Sequence, residues 1–202
     1  MSFILCLGVS MIGFLSGVFI NRRLIEKYSI NPGKVPFFEL IMSAGFYLNF
    51  LLSGFCLKFI EYCLFSIFII VIGYIDIKTK IIPDKIVLYF AVINGLFVVL
   101  NLIAFKVPEV SSNLLGIIAA SGILFFVSYF SNGSIGGGDI KFAAAAGLFL
   151  GWKLSISALF ISMIIAGIIL SILLIAQKIG KNDMVALGPY LSFGMYFAML
   201  FV

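Results

Sequence analysis

Apolar runs follow one another along this chain with so little between them that a lipid bilayer is the only solvent it can fold in. A helix of about 20 residues crosses the hydrocarbon core. Runs of this character fall at Phe3–Ile20, Pro36–Leu57, Glu61–Ile75, Ile86–Phe105, Leu114–Phe130, Phe142–Trp152, Leu154–Gln177 and Ala186–Val202, the sixth being short. The longest polar connection, Asn21 to Val35, has fifteen residues, too few for a soluble domain. Non-helical backbone is tolerated at membrane depth only where protein or a water-filled cavity satisfies its polar groups. The expectation is therefore an all-α integral membrane protein, a polytopic bundle of about eight transmembrane helices, folded as one domain over residues 1–202. With 63% hydrophobic and 10% charged residues, the composition lies outside the soluble range.

The few charges set an orientation. Nothing basic precedes the first run, and Arg22 and Arg23 follow it where a secretory signal would carry small residues, so it reads as a retained helix with its N-terminus outside. The loops after runs one, three, five and seven hold ten basic residues: Arg22, Arg23, Lys27, Lys34, Lys78, Lys80, Lys85, Lys141, Lys178 and Lys181. The other loops hold three, Lys58, Lys106 and Lys153. By the positive-inside rule the first set is cytoplasmic. The net charge of +5 is thus a topology signal; the basic residues are scattered, without the stripe and interleaved aromatics of a nucleic-acid surface, and no nucleic-acid partner is expected.

Whole classes of chemistry are missing. There is no histidine, so the usual general base and the Ser/His and Cys/His nucleophile pairs are excluded. Cys6, Cys56 and Cys63 are dispersed in or beside apolar runs and read as small buried hydrophobes. They cannot supply the four ligands of a structural zinc site, so neither metal nor cofactor is expected.

Chemistry is left to eight acids. Glu61 and Glu109 stand near Lys58 and Lys106 on the outer side and read as solvated pairs; Glu26 and Asp183 read as solvated loop charges. Asp76 and Asp139 differ, because "FIIVIGYID" runs straight into the first and "IKFAAAAGLFLG" straight out of the second. A carboxylate at such a depth is costly and is a functional candidate by default, against the plain alternative of a snorkelling or capping acid. Asp84, eight residues after Asp76 and just behind Pro83, is placed to cap the next helix, where the helix dipole favours an acid. Gly136, Gly137 and Gly138 free the backbone before Asp139 for positive φ and for close approach of another segment.

Asp76 leaves the third run and Asp139 precedes the sixth, both on the cytoplasmic side and 63 residues apart, room enough for an antiparallel helix pair between them. Two carboxyls sharing one site do not readily both ionise, so one holds a proton while the other acts as base. That suffices to activate water against an amide carbonyl and to protonate the leaving nitrogen.

These residues resemble the type IV prepilin peptidases, membrane aspartic proteases with a G-x-G-D signature. Gly136, Gly138 and Asp139 stand as G-x-G-D, and "YIDIKTKIIPDKI" is similar to the family's first-aspartate segment, with Asp76 in the catalytic place and Pro83–Asp84 in the following P-D. "GFLSGVFINRR" resembles the family's first helix, "VPFFELIMSAGF" its second with Glu39 on the family's glutamate, and "ALGPYLSFG" its final glycine-proline segment with Gly188 and Pro189 matching. The resemblance implies a catalytic dyad of Asp76 and Asp139, with Gly136, Gly138 and Asp84 at the substrate. It implies a bacterial inner-membrane enzyme facing the cytoplasm that removes the basic leader of a prepilin or pseudopilin. One departure is plain: typical members carry a cytoplasmic insertion with paired C-x-x-C motifs, associated with metal binding and N-methylation, where this chain has "LIEKYSINPGK". The resemblance therefore does not carry methyltransferase activity over to this chain, and the sequence does not decide it. Lys78, Lys80, Lys85 and Lys141 fit either anionic lipid head groups or tuning of the dyad. The alternative function, a small transporter or channel subunit with an intramembrane cation site, predicts acids near the midplane in related halves, and no internal repeat is present. A silent scaffold would not need both acids. Nothing in the sequence sets an oligomeric state.

Overall fold

The computed structural model describes residues 2–28, 37–105, 110–131, 133–180 and 183–201. Among them seven helices and no strand are formed: α1 (Ser2–Tyr28), α2 (Phe37–Ser53), α3 (Leu57–Thr79), α4 (Asp84–Phe105), α5 (Val110–Phe130), α6 (Gly137–Ile175) and α7 (Gly188–Met199). Five of these, α1, α3, α4, α5 and α6, are long and apolar enough to cross a membrane; α2 is apolar but shorter, and α7 has twelve residues. The protein is an all-α, multi-pass membrane protein. Large apolar side chains such as Ile103, Phe130, Phe160 and Ile175 point outward and exposed. In water they would form aggregating patches; in a bilayer they face lipid tails.

Eight separate runs are not reproduced as eight helices. The sixth and seventh form one element, α6, interrupted at Gly151, where φ 70° and ψ 173° leave helical space. A straight helix of this length would run about 58 Å, nearly twice the hydrocarbon thickness of about 30 Å. Instead Ala158 and Ser162, beyond the break, lie against Gly194 of α7. Gly194 is about 9 Å along its helix from Gly188, whose amide contacts Asp76. A straight α6 would carry Ala158 about 28 Å from Asp139. The chain therefore folds back at Gly151, a backbone conformation that is essentially reserved to glycine.

Of the five long spans α3 is the most buried, and it serves both hydrophobic clusters. Phe65, Ile69 and Ile72 face α4, α6 and α7, while Val71 and Ile75 face α1 and α2. Buried amide side chains in the middle of this bundle are paired, as lipid requires. Asn49 of α2 donates to Ser66 Oγ of α3 at 2.8 Å, and Asn94 of α4 donates to the Ala145 carbonyl of α6 at 2.9 Å.

Glu61 departs from expectation. It is buried, and its Oε1 accepts a hydrogen bond from Asn101 Nδ2 of α4 at 3.1 Å. Because α3 starts at Leu57, one turn earlier than the apolar run, Glu61 is turned inward where a neutral donor satisfies it. Glu109 and Lys106 lie outside the described residues.

Candidate active site

Three helix ends meet at one end of the bundle. Asp76 occupies the last turn of α3, whose ladder closes when the Lys80 amide, at φ 54°, donates to the Asp76 carbonyl at 2.8 Å. Asp139 lies in the first turn of α6, and Gly188 begins α7 with Pro189 behind it. Proline in the first turn of a helix removes an amide that has no partner there in any case. The N-terminal dipoles of α6 and α7 both favour negative charge at this point.

The carboxylate of Asp76 is buried and accepts a hydrogen bond on Oδ2 from the Gly188 backbone N–H at 2.7 Å. Asp139 is brought near enough to interact with Asp76 charge to charge. Its Oδ1 is buried and has no hydrogen-bond partner among the described residues. An acidic oxygen left open beside a second carboxyl is free to engage a water or a peptide group.

The glycine motif acts by contact. None of Gly136, Gly137 and Gly138 has positive φ; in this loop that conformation falls on Gly133, and Gly136 is extended at φ −67°, ψ 146°. The expectation of positive φ in the triplet is thus not met. A Cβ on Gly138 would lie 3.1 Å from the Cβ of Ile82, one on Gly136 would lie 3.2 Å from Asp139 Oδ2, and one on Gly137 would meet nothing within 4 Å. The two required glycines of G-x-G-D therefore let α6 start directly against the α3–α4 connection and keep space at the carboxylate, while the middle position is unconstrained.

Asp84 stands in the first turn of α4, where the dipole favours it, but its side chain reaches across to Lys141 Nζ of α6 at 2.8 Å. Both side chains are largely exposed. This pair lines a groove of about 500 Å³ between α4, α5 and α6, together with Leu88, Ala91, Ile117 and Ala145. Lys80 Nζ donates to the Met184 carbonyl at 2.7 Å and so ties the end of α3 to the segment entering α7.

Gly188 is the site residue that sequence reasoning passed over, although its Gly-Pro segment stood out. A Cβ there would lie 2.7 Å from Asp76 Oδ2 and 2.9 Å from Asp76 Cβ. Gly-Pro opening a final apolar run was the available signal, but the partner it serves lies 112 residues away.

Residues 63–172, more than half of the chain and including both aspartates, match the sequence profile described as the type IV leader peptidase family. Over 168 residues the chain is 26% identical to a prepilin leader peptidase/N-methyltransferase of Bacillus subtilis (strain 168), covering 82% of this chain and 65% of that protein. Over 144 residues it is 29% identical to a protein of the same description from Pectobacterium carotovorum subsp. carotovorum, covering 66% and 48% respectively. The chain thus spans less than two thirds of the length of either relative. No solved structure matches it significantly.

Proposed function

The chain belongs to the type IV leader peptidase family, and on that premise we propose that it is a membrane aspartic endopeptidase acting as a single domain. Its substrates are type IV prepilin-like or pseudopilin precursors, whose leader it removes at the cytoplasmic face of a bacterial inner membrane. One observation carries the mechanism: Asp76 and Asp139, from α3 and α6, lie within charge-to-charge reach, the first held by the Gly188 amide and the second with an open oxygen.

In the reaction one carboxylate takes a proton from water as the water oxygen bonds to the scissile carbonyl carbon. The partner carboxyl, protonated beforehand, gives its proton to the amide nitrogen as the C–N bond breaks. Neither residue is assigned acid or base singly, since coupled groups titrate as a pair. The groove beside Asp84 and Lys141 offers apolar walls to the part of the substrate that stays in the bilayer. Lys78, Lys80, Lys85 and Lys141 cluster at the end carrying the dyad, and by the positive-inside rule that end is cytoplasmic.

The relatives are described as methyltransferases as well as peptidases. Between α1 and α2 this chain has no cysteine, and we assign it no methylation step. Mass spectrometry of a prepilin co-expressed with the chain tests both parts. The expected product is cut and lacks an added CH₂. Asp76→Asn and Asp139→Asn should each leave the substrate whole while the protein remains inserted; full cleavage by either variant would remove the dyad from the mechanism.

A further inference from the structure

A second buried carboxylate sits at the same end of the bundle, outside the dyad. Glu39, in the first turn of α2, is only 8% exposed, pressed against α1 where a Cβ on Gly17 would come within 3.0 Å of the Glu39 Cα. Its Oε1 accepts a hydrogen bond from Asn21 Nδ2 of α1 at 2.7 Å. Its other oxygen, Oε2, and the Asn21 Oδ1 are both buried, and neither has a hydrogen-bond partner among the described residues.

These two atoms define what would fit. An ionised carboxylate and an amide oxygen only accept hydrogen bonds, so the missing partner is a donor. A neutral donor would leave the buried charge uncompensated, whereas a charged N–H group supplies both the hydrogen bonds and the countercharge. Among the described residues, Arg23 lies over Phe19 at 5.5 Å and 3.8 Å from Glu26, and Lys78 lies over Tyr74 at 5.9 Å, while Lys34, between α1 and α2, lies outside them. Arg22 is exposed, and among the described residues no ion pair involves Glu39.

Position ties this pair to the dyad. Phe38, next to Glu39, places its ring 4.9 Å from that of Tyr74, and Glu39 interacts with Tyr74 through its charge. Tyr74 is two residues before Asp76 on α3. A helix is about 10 Å across, and an extended peptide advances about 3.3–3.6 Å per residue. A side chain a few residues from a bond held at Asp76 therefore reaches Glu39.

We propose that Asn21 and Glu39 form a subsite for a cationic side chain, a lysine ammonium or arginine guanidinium, on the polar side of the bond cut at Asp76 and Asp139. The proposal rests on the endopeptidase reading and adds the substrate feature that the enzyme reads. It also accounts for how a basic segment approaches an end of the bundle that is itself rich in lysine and arginine: a buried carboxylate outweighs exposed, screened cations.

The test compares two prepilin substrates that differ only in the residues before the cut, basic in one and glutamine in the other. The full-length chain in nanodiscs should prefer the basic substrate by about tenfold or more in kcat/KM, a typical worth for a desolvated charge pair. In Glu39→Gln that preference should collapse, chiefly through KM, and Asn21→Ala should reduce it in part. An unchanged preference in Glu39→Gln overturns the subsite. Binding of the two corresponding fluorescent leader peptides to Asp139→Asn, with and without Glu39→Gln, gives a readout independent of turnover. Loss of tenfold selectivity on adding Glu39→Gln supports the subsite, and equal selectivity with and without it refutes it. If the wild type cuts neither substrate, the endopeptidase reading fails and the binding comparison alone decides the subsite.

Discussion

The backbone amide of Gly188, first residue of α7, donates to Oδ2 of Asp76 near the end of α3 at 2.7 Å, joining residues 112 apart in the chain. An orphan amide at a helix start thus becomes the fixed partner of a buried carboxylate.

Gly188→Ala should damage the site while sparing the fold. The added methyl would lie 2.7 Å from Asp76 Oδ2, so either the carboxylate or the start of α7 has to move. A displacement of about 1 Å costs on the order of a hundredfold in rate when reacting groups must be aligned. Leader cleavage should fall by about that factor, with helix content by circular dichroism unchanged.

The spacing within the G-x-G-D motif makes a paired prediction. Gly137→Ala meets open space and adds a better helix former, so cleavage and thermal stability should be retained or slightly raised. Gly138→Ala pushes against the Ile82 Cβ and should lower cleavage; Ile82→Gly in the same chain, which removes that atom, should restore part of it. Equal effects at positions 137 and 138 would refute the contact account.

Asp84→Asn should cost little. The Asp84–Lys141 pair is 70% and 59% exposed, and exposed pairs contribute about 0–1 kcal/mol. Cleavage should drop by less than about fivefold on that basis, and exchanging the two charges should recover it. A loss as deep as that of the aspartate dyad variants would bring Asp84 into the chemistry.

Gly151→Ala tests the reversal in α6. At φ 70° an L-residue is strained by about 1–3 kcal/mol, and its methyl would also sit 2.7 Å from Ser112 Oγ. Thermal unfolding in detergent should begin at lower temperature, and Ser112→Gly should relieve the crowding without removing the backbone strain.

Much of this was readable in one dimension. Apolar runs mark the places of α1 to α5 but not their ends, as at α1, which runs on to Tyr28 from a run ending at Ile20, and the exposed rim of Ile and Phe side chains fits a lipid surround. Asp76 and Asp139 stood out because a charge bordering such a run is expensive. Reading failed where the information is not periodic. The sequence parts two apolar runs at Lys153, two residues from Gly151, but nothing local shows that a single glycine, with no loop, makes the break. Glu61 lies near Lys58 in sequence but turns its carboxylate to Asn101, forty residues on.

Solvent preference and the identity of the paired acids are properties of residue order, because transfer free energy accrues residue by residue along the chain. The Gly188 amide at Asp76, Ile82 against Gly138, and the unfilled acceptors of Asn21 and Glu39 are properties of packing alone. Each needs two segments brought within van der Waals or hydrogen-bonding reach, and only the folded bundle sets those distances.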